Sequence, residues 1–302
     1  MTSDMSATAK EISNATQNRH GKYDVPNSSY KLAFLDSEYL SSHDTRGLRF
    51  QLEIGKPDAV FRREKIKHTI VVFGSARFKG PEATEALLKI ETDPLKINQL
   101  KQGLTHYQSA YEFGKIVAHQ NLKVSPDRRL HILTGGGPGI MEAANRGAFE
   151  AGDKTIGMNI ALPFEQEPNP YITPELCFDF HYFACRKFSF LSAGSSTYGA
   201  ELEPSRGFTS YESESGGGAA ALVCFPGGLG TLDELFEALT LIQTKKMRPR
   251  PVVLVGSNYW NNFMNINFLV EQGAMSKEDL NLFSIVDTPQ EAWDEIKKFY
   301  NL

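Results

Sequence analysis

Residues 130–152 read LHILTGGGPGIMEAANRGAFEAG, and their order decides the fold. Leu130 to Thr134 is a short apolar run of strand length. It breaks on Gly135-Gly136-Gly137-Pro138-Gly139, and from Ile140 to Ala151 the apolar residues take helical spacing. A strand passing through a glycine turn into a helix opens a βαβ unit. The same alternation recurs on both sides. His68–Phe73 reads as a buried strand ending at Gly74-Ser75, and Gln102–Gln120 as a helix through Tyr107, Ala110, Tyr111, Phe113 and Val117. Further strands are expected at Thr155–Ile160, Ala219–Phe225, Pro251–Gly256 and Phe283–Val286. Helices are expected at Thr231–Lys245, at Tyr259–Gln272 and after Thr288-Pro289, a cap followed by proline at the first helical position. Near-continuous apolar strands alternating with amphipathic helices predict an α/β protein, a Rossmann-like doubly wound parallel sheet with helices on both faces. In such sheets ligands bind outside the carboxyl ends of the strands. Both glycine-rich loops fall there.

Composition narrows the partners. The chain has 302 residues and a formal net charge of -4, which gives no basic field for a nucleic-acid polymer. A small anion remains possible, held by loops and single arginines. Cys177, Cys185 and Cys224 form no CxxC pair, and with an opening segment that lacks a signal-type apolar core they suit a cytoplasmic protein. No run approaches membrane-spanning length, so no membrane partner is expected. Residues 1–30 read as a disordered tail, and 31–302 as a single domain whose N-terminal extension carries one or two short helices between Tyr39 and Lys65. Neither His119, His131 and His181 nor any cysteine shows metal-ligand spacing, so no metal is expected.

The two loops ask different things of a ligand. Gly135 and Gly137 begin a dinucleotide fingerprint that Ile140 fails to complete, and the strand TIGMNI ends without the acid that grips a ribose, which disfavours NAD. No Walker lysine follows either loop. The second loop, Pro226-Gly227-Gly228-Leu229-Gly230-Thr231, is a nest of backbone N–H groups sized for one phosphate at a helix N-terminus. Yet Asp233 and Glu234 follow directly. Thr231-Leu232-Asp233-Glu234 matches a capping box, so Glu234 either serves the helix end or acts on the ligand. Leu232, Leu235, Phe236 and Leu239 are expected to form the buried stripe. Arg186 and Lys187, adjacent in HYFACRKFSF, are either a solvated face or part of a site.

GGGPGIMEAANRGA, the Arg-Lys pair and PGGLGTLDE, in that order and with FGSAR at 73–77 in support, resemble the LOG (Lonely Guy) family, in its larger branch. The likeness covers roughly 69–300. Members are phosphoribohydrolases of cytokinin and other nucleoside 5′-monophosphates, often mislabelled lysine decarboxylases. The resemblance implies Arg186 and Glu234 as the catalytic pair and a 5′-phosphate held by Gly227, Gly228, Gly230 and Thr231 with help from Ser75. It implies a sugar and base pocket shaped by Gly135, Gly136, Gly137 and Met141, with Lys187 also binding substrate. It further implies a small-molecule nucleotide as ligand and a homo-oligomer, dimer or higher. A cationic ribose in the transition state gives a nearby carboxylate its purpose. One departure is an insert at about 193–217, rich in Gly, Ser and Glu, whose Arg206 is a possible substitute for Arg186. The competing expectation is a nucleotide or molybdenum-cofactor carrier of similar fold, which needs the phosphate loop but no catalytic glutamate.

Overall fold

The computed structural model describes residues 29–163, 167–192 and 219–301. The expected tail at 1–30 and the insert at 193–217, with Arg206, lie almost wholly outside the described residues. The chain divides into two compact units, 1–52 and 53–302. In the first, a short helix Ser37–Ser41 is capped by Asp36, whose side chain accepts the Tyr39 N–H at 3.3 Å. Thr45 Oγ1 then donates to Tyr39 O at 2.8 Å and closes the turn that follows. A helix spanning Arg46–Glu64 carries the chain into the second unit.

The second unit is built on seven parallel strands: β1 His68–Phe73, β2 Leu130–Thr134, β3 Thr155–Ile160, β4 Cys177–Phe180, β5 Ala221–Cys224, β6 Val252–Val255 and β7 Ser284–Val286. Their order is β4-β3-β2-β1-β5-β6-β7. The chain winds outward from β1 in one direction to β4, then returns to the other side of β1 and winds outward again.

Period-2 alternation sorts each strand's side chains between two cores. On one face Val71, Phe73, Leu222 and Cys224 meet Phe190 of the helix Phe183–Ser192 and Leu235, Ala238 and Leu239 of the helix Leu229–Gln243. On the other, Ile70, Val72 and Val223 meet Tyr107, Phe113 and Val117 of the helix Pro94–Asn121. Ala143 and Ala144 of the helix Ile140–Glu150 and Trp293 of the helix Pro289–Tyr300 join them. The sheet is therefore doubly wound. The helices Pro94–Asn121 and Ile140–Glu150 touch backbone to backbone, because a Cβ on Gly147 would meet Tyr111 O and one on Gly114 would meet Ala144 O. Among the described residues no helix is long and apolar enough to cross a membrane.

Several elements depart from the sequence expectation. β4 was not expected: it is a four-residue edge strand with only two fully buried side chains, and Asp179 interrupts its apolar run. The helix expected over Tyr259–Gln272 is two, Ser257–Phe263 and Ile266–Glu271, separated where Asn265 caps the second by accepting the Phe268 N–H at 3.2 Å. The helix expected from Thr231 starts at Leu229 with Gly228 as its cap. The buried stripe is Leu235, Ala238, Leu239 and Ile242, while Phe236, expected in it, is 40% exposed. Thr288, by contrast, closes a full capping box with Glu291.

Candidate functional site

The site lies where the winding reverses. Phe73 at the end of β1 and Cys224 at the end of β5 are level in the ladder, so the loops after them leave the sheet side by side. Ser75 ties three loops together. Its N–H donates to Pro226 O at 3.0 Å, and its carbonyl accepts the Ile140 N–H at 3.0 Å. Gly139 permits this by adopting φ +74, with the Ser75 carbonyl where its Cβ would stand.

Between these loops is a cavity of about 590 Å³, within the range of small-molecule sites. Among the residues expected to serve a ligand, Ser75, Gly135, Met141, Arg186, Gly228, Gly230, Thr231 and Glu234 line it. Gly136, Gly137, Gly227 and Lys187 do not. The Gly136 and Gly137 carbonyls accept from Asn169 Nδ2 at 3.2 and 3.1 Å. The Gly227 carbonyl accepts from Tyr259 Oη at 2.5 Å, which pins the loop from behind. Lys187 turns to Asp233 at 3.0 Å and Glu237 at 2.9 Å. The wall also includes Arg77 and Phe183, which sequence reasoning did not assign to the site. Arg77 belongs to the FGSAR stretch, the only signal that pointed toward it.

The helix after β5 begins its ladder with Leu232 N–H to Gly228 O at 3.1 Å. The N–H groups of Leu229, Gly230 and Thr231 therefore precede the ladder, at the positive end of the helix dipole. All three residues line the cavity.

The two acids that follow this nest are sorted by the helix. Asp233 is exposed and paired with Lys187. Glu234, only 5% exposed, faces the cavity. It is the sixth residue of the helix and Thr231 the third, so the Thr231-Glu234 capping box is not formed. Arg186 Nη2 stands 3.9 Å from Glu234 Oε1. The guanidinium is held by its own helix, over the rings of Phe183 and Phe190 at 5.2 and 5.4 Å. Arg186 Nε and Glu234 Oε2 are buried and make no hydrogen bond among the described residues.

Burial outweighs attraction on both partners. It pushes the Glu234 carboxyl up to about 7, with Glu237 and Asp233 adding to the rise and Arg186 and Lys187 opposing it. Burial also draws Arg186 below its ordinary range, against the pull of Glu234 and Asp233. A close bidentate pair would hold the carboxyl low. At 3.9 Å the two groups leave each other incompletely satisfied, and both residues line the cavity. Among the described residues no group of three or more His, Cys, Asp or Glu could hold a metal ion.

Comparison with known proteins finds matches in both halves of the chain. Residues 98–176 match the family model described as SLOG cluster4, and residues 217–296 the one described as possible lysine decarboxylase. A probable cytokinin riboside 5′-monophosphate phosphoribohydrolase of Oryza sativa subsp. japonica, LOGL3, is 25% identical over 175 residues, which are 57% of this chain and 70% of that protein. Two solved structures of the molybdenum cofactor carrier protein of Chlamydomonas reinhardtii each cover 78% of this chain and 99% of their own. They are 20% identical, with TM-scores of 0.40 and 0.39. The first of the two matched segments carries the GGGPGIMEAANRGA turn and the second the PGGLGTLDE turn, so the chain is similar to LOG-type proteins at both glycine-rich loops.

Proposed function

We propose that this cavity hydrolyses the N-glycosidic bond of a nucleoside 5′-monophosphate, AMP-like or a cytokinin riboside 5′-monophosphate, to free base and ribose 5-phosphate. The observation that carries the reading is Glu234, a buried carboxyl with one oxygen unbonded, facing a cavity whose wall is a backbone anion nest. The likeness to LOGL3 supports the substrate class.

The 5′-phosphate sits on the N–H groups of Leu229, Gly230 and Thr231, with Ser75 beside it, and this fixes where the ribose lies. Glu234, one to two turns further along the same helix, then faces the anomeric carbon. As the bond from that carbon to the base nitrogen breaks, positive charge builds on the ribose, and the Glu234 carboxylate stabilises it. A water oxygen bonds to the anomeric carbon and its proton passes to Glu234. The departing base nitrogen then takes that proton, which returns Glu234 to its ionised form. Arg186, stacked on two rings, keeps the carboxylate aimed and partly ionised. No metal or organic cofactor enters the reaction, and a homo-oligomer is the expected assembly.

The test incubates the purified protein with a panel of nucleoside 5′-monophosphates and the matching nucleosides and follows free base. Release from monophosphates alone, lost in Glu234→Gln, is expected. Tight binding without release from any monophosphate would instead indicate a carrier.

A further inference from the structure

The helix that carries Arg186 has an unusual start. It begins at Phe183, preceded by His181-Tyr182, with none of the Ser, Thr, Asp or Asn residues that commonly cap a first turn. The acceptor comes from the helix Arg46–Glu64, more than a hundred residues earlier. Glu53 Oε1 accepts the His181 N–H at 2.8 Å, and Oε2 accepts the Tyr182 N–H at 3.2 Å. Glu53 also neighbours the buried Cys185 thiol, which burial first and then the Glu53 carboxylate push up to about 11. Tyr182 passes the constraint on, since its carbonyl accepts the Arg186 N–H at 3.1 Å. Glu53 thus does from another helix what an N3 glutamate does in a capping box.

Resting on the function proposed above, we infer that Glu53 is a positioning residue for Arg186: by fixing the first turn of the helix Phe183–Ser192, it sets the distance from the guanidinium to Glu234. The segment before β1 then belongs to the reaction's machinery.

The groups facing Glu234 make this measurable. Both cations that favour its ionised form through direct electrostatics, Arg186 and Lys187, stand on the helix that Glu53 holds. Asp233 and Glu237 are on Glu234's own helix, Cys224 is on β5, and Arg77 is on the loop after β1. Loosening the helix withdraws the two cations and leaves the other four in place, so Glu234 must titrate at higher pH.

The experiment compares the full-length protein with Glu53→Ala and Glu53→Gln. The Glu234 carboxyl is followed by carbon NMR, its signal assigned with Glu234→Gln. In both variants the titration midpoint is expected to rise by roughly half to one pH unit. Turnover of AMP is expected to fall roughly 10- to 100-fold in Glu53→Ala, the scale of a small misplacement, with no further fall when Glu53→Ala is added to Arg186→Ala. An unmoved midpoint, or losses that multiply in the double variant, overturns the inference. If the wild-type protein cleaves no monophosphate, the proposed function falls, and the titration alone decides on Glu53. If Glu53→Ala does not fold, Glu53→Gln decides.

Discussion

Arg186 Nη2 and Glu234 Oε1 stand 3.9 Å apart, near enough to feel each other and too far to neutralise each other. Glu234 is buried and Arg186 half-buried, so the cost of desolvation is only partly offset by their attraction. A structural ion pair at this depth would close to hydrogen-bond distance. Here the guanidinium lies over the rings of Phe183 and Phe190, and Glu234 Oε2 makes no hydrogen bond among the described residues.

Removing the charge of Glu234 while keeping its shape separates catalysis from structure. Glu234→Gln is expected to slow base release by about 10²–10³-fold with little change in KM, because the lost interaction is one made with the cationic transition state. Steady-state kinetics on AMP check it. Gln would serve equally well in a capping box, and wild-type turnover in the variant would return Glu234 to a structural role.

The same substitution changes stability in a pH-dependent way. The folded carboxyl titrates near 7 against 4.5 for a free glutamate, so folding takes up a proton between these values and stability falls as pH rises through them. Glu234→Gln escapes that cost. It should be more stable than the wild type by about 3 kcal/mol above pH 7, and the gain should disappear below pH 4.5, as read by denaturant unfolding at pH 4 and pH 8. The activity of the wild type should rise with pH through about 7, since the ionised form is the one that stabilises the ribose cation.

The anion nest can be tested without disturbing the fold. A Cβ on Gly230 meets no atom within 4 Å, so Gly230→Ala is expected to fold normally and to gain about 0.5–1 kcal/mol from the better helix former. The added methyl group enters the space assigned to phosphate. KM for monophosphates should rise at least tenfold, with thermal unfolding unchanged or raised. A KM equal to wild type would move the phosphate elsewhere.

A contrasting glycine tests the scaffold. At Gly147 the space is already taken by the backbone of Tyr111, so Gly147→Ala forces two packed helices apart and is expected to cost about 1–3 kcal/mol, visible as a lower Tm.

The sheet was legible in the sequence because its inner strands are buried on both faces and read as unbroken apolar runs, such as Ile70-Val71-Val72-Phe73. β4 escaped because Asp179 interrupts Cys177-Phe178-Asp179-Phe180, which therefore shows no such run. The candidate site was legible where one segment carries both parts, as in the nest and Glu234. The fate of the adjacent basic pair was not. Lys187 goes to Asp233 and Glu237 and Arg186 to the cavity only because two helices meet at a particular rotation, which no local pattern encodes. For a related reason the sequence leaves open whether Thr231 caps the helix. Thr231 has a cap's chemistry, but Gly228 takes the role first, and the chain is helical by the time Thr231 is reached. Glu53 left no signal at all, since its partners are two backbone N–H groups far along the chain.

The central position of β1 governs when the cavity can exist. One neighbour of β1 is β2, but the other is β5, which begins at Ala221. During synthesis the strands β1 to β4 can pair while the far edge of β1 stays bare, a template for pairing with other chains. Neither wall of the cavity is complete until the turn at 226–231 has left the ribosome and docked on Ser75. A nascent chain stopped before Ala221 should therefore aggregate and bind no nucleotide, and ligand binding should appear only after residues 221–243 are available, late in the growth of the molecule.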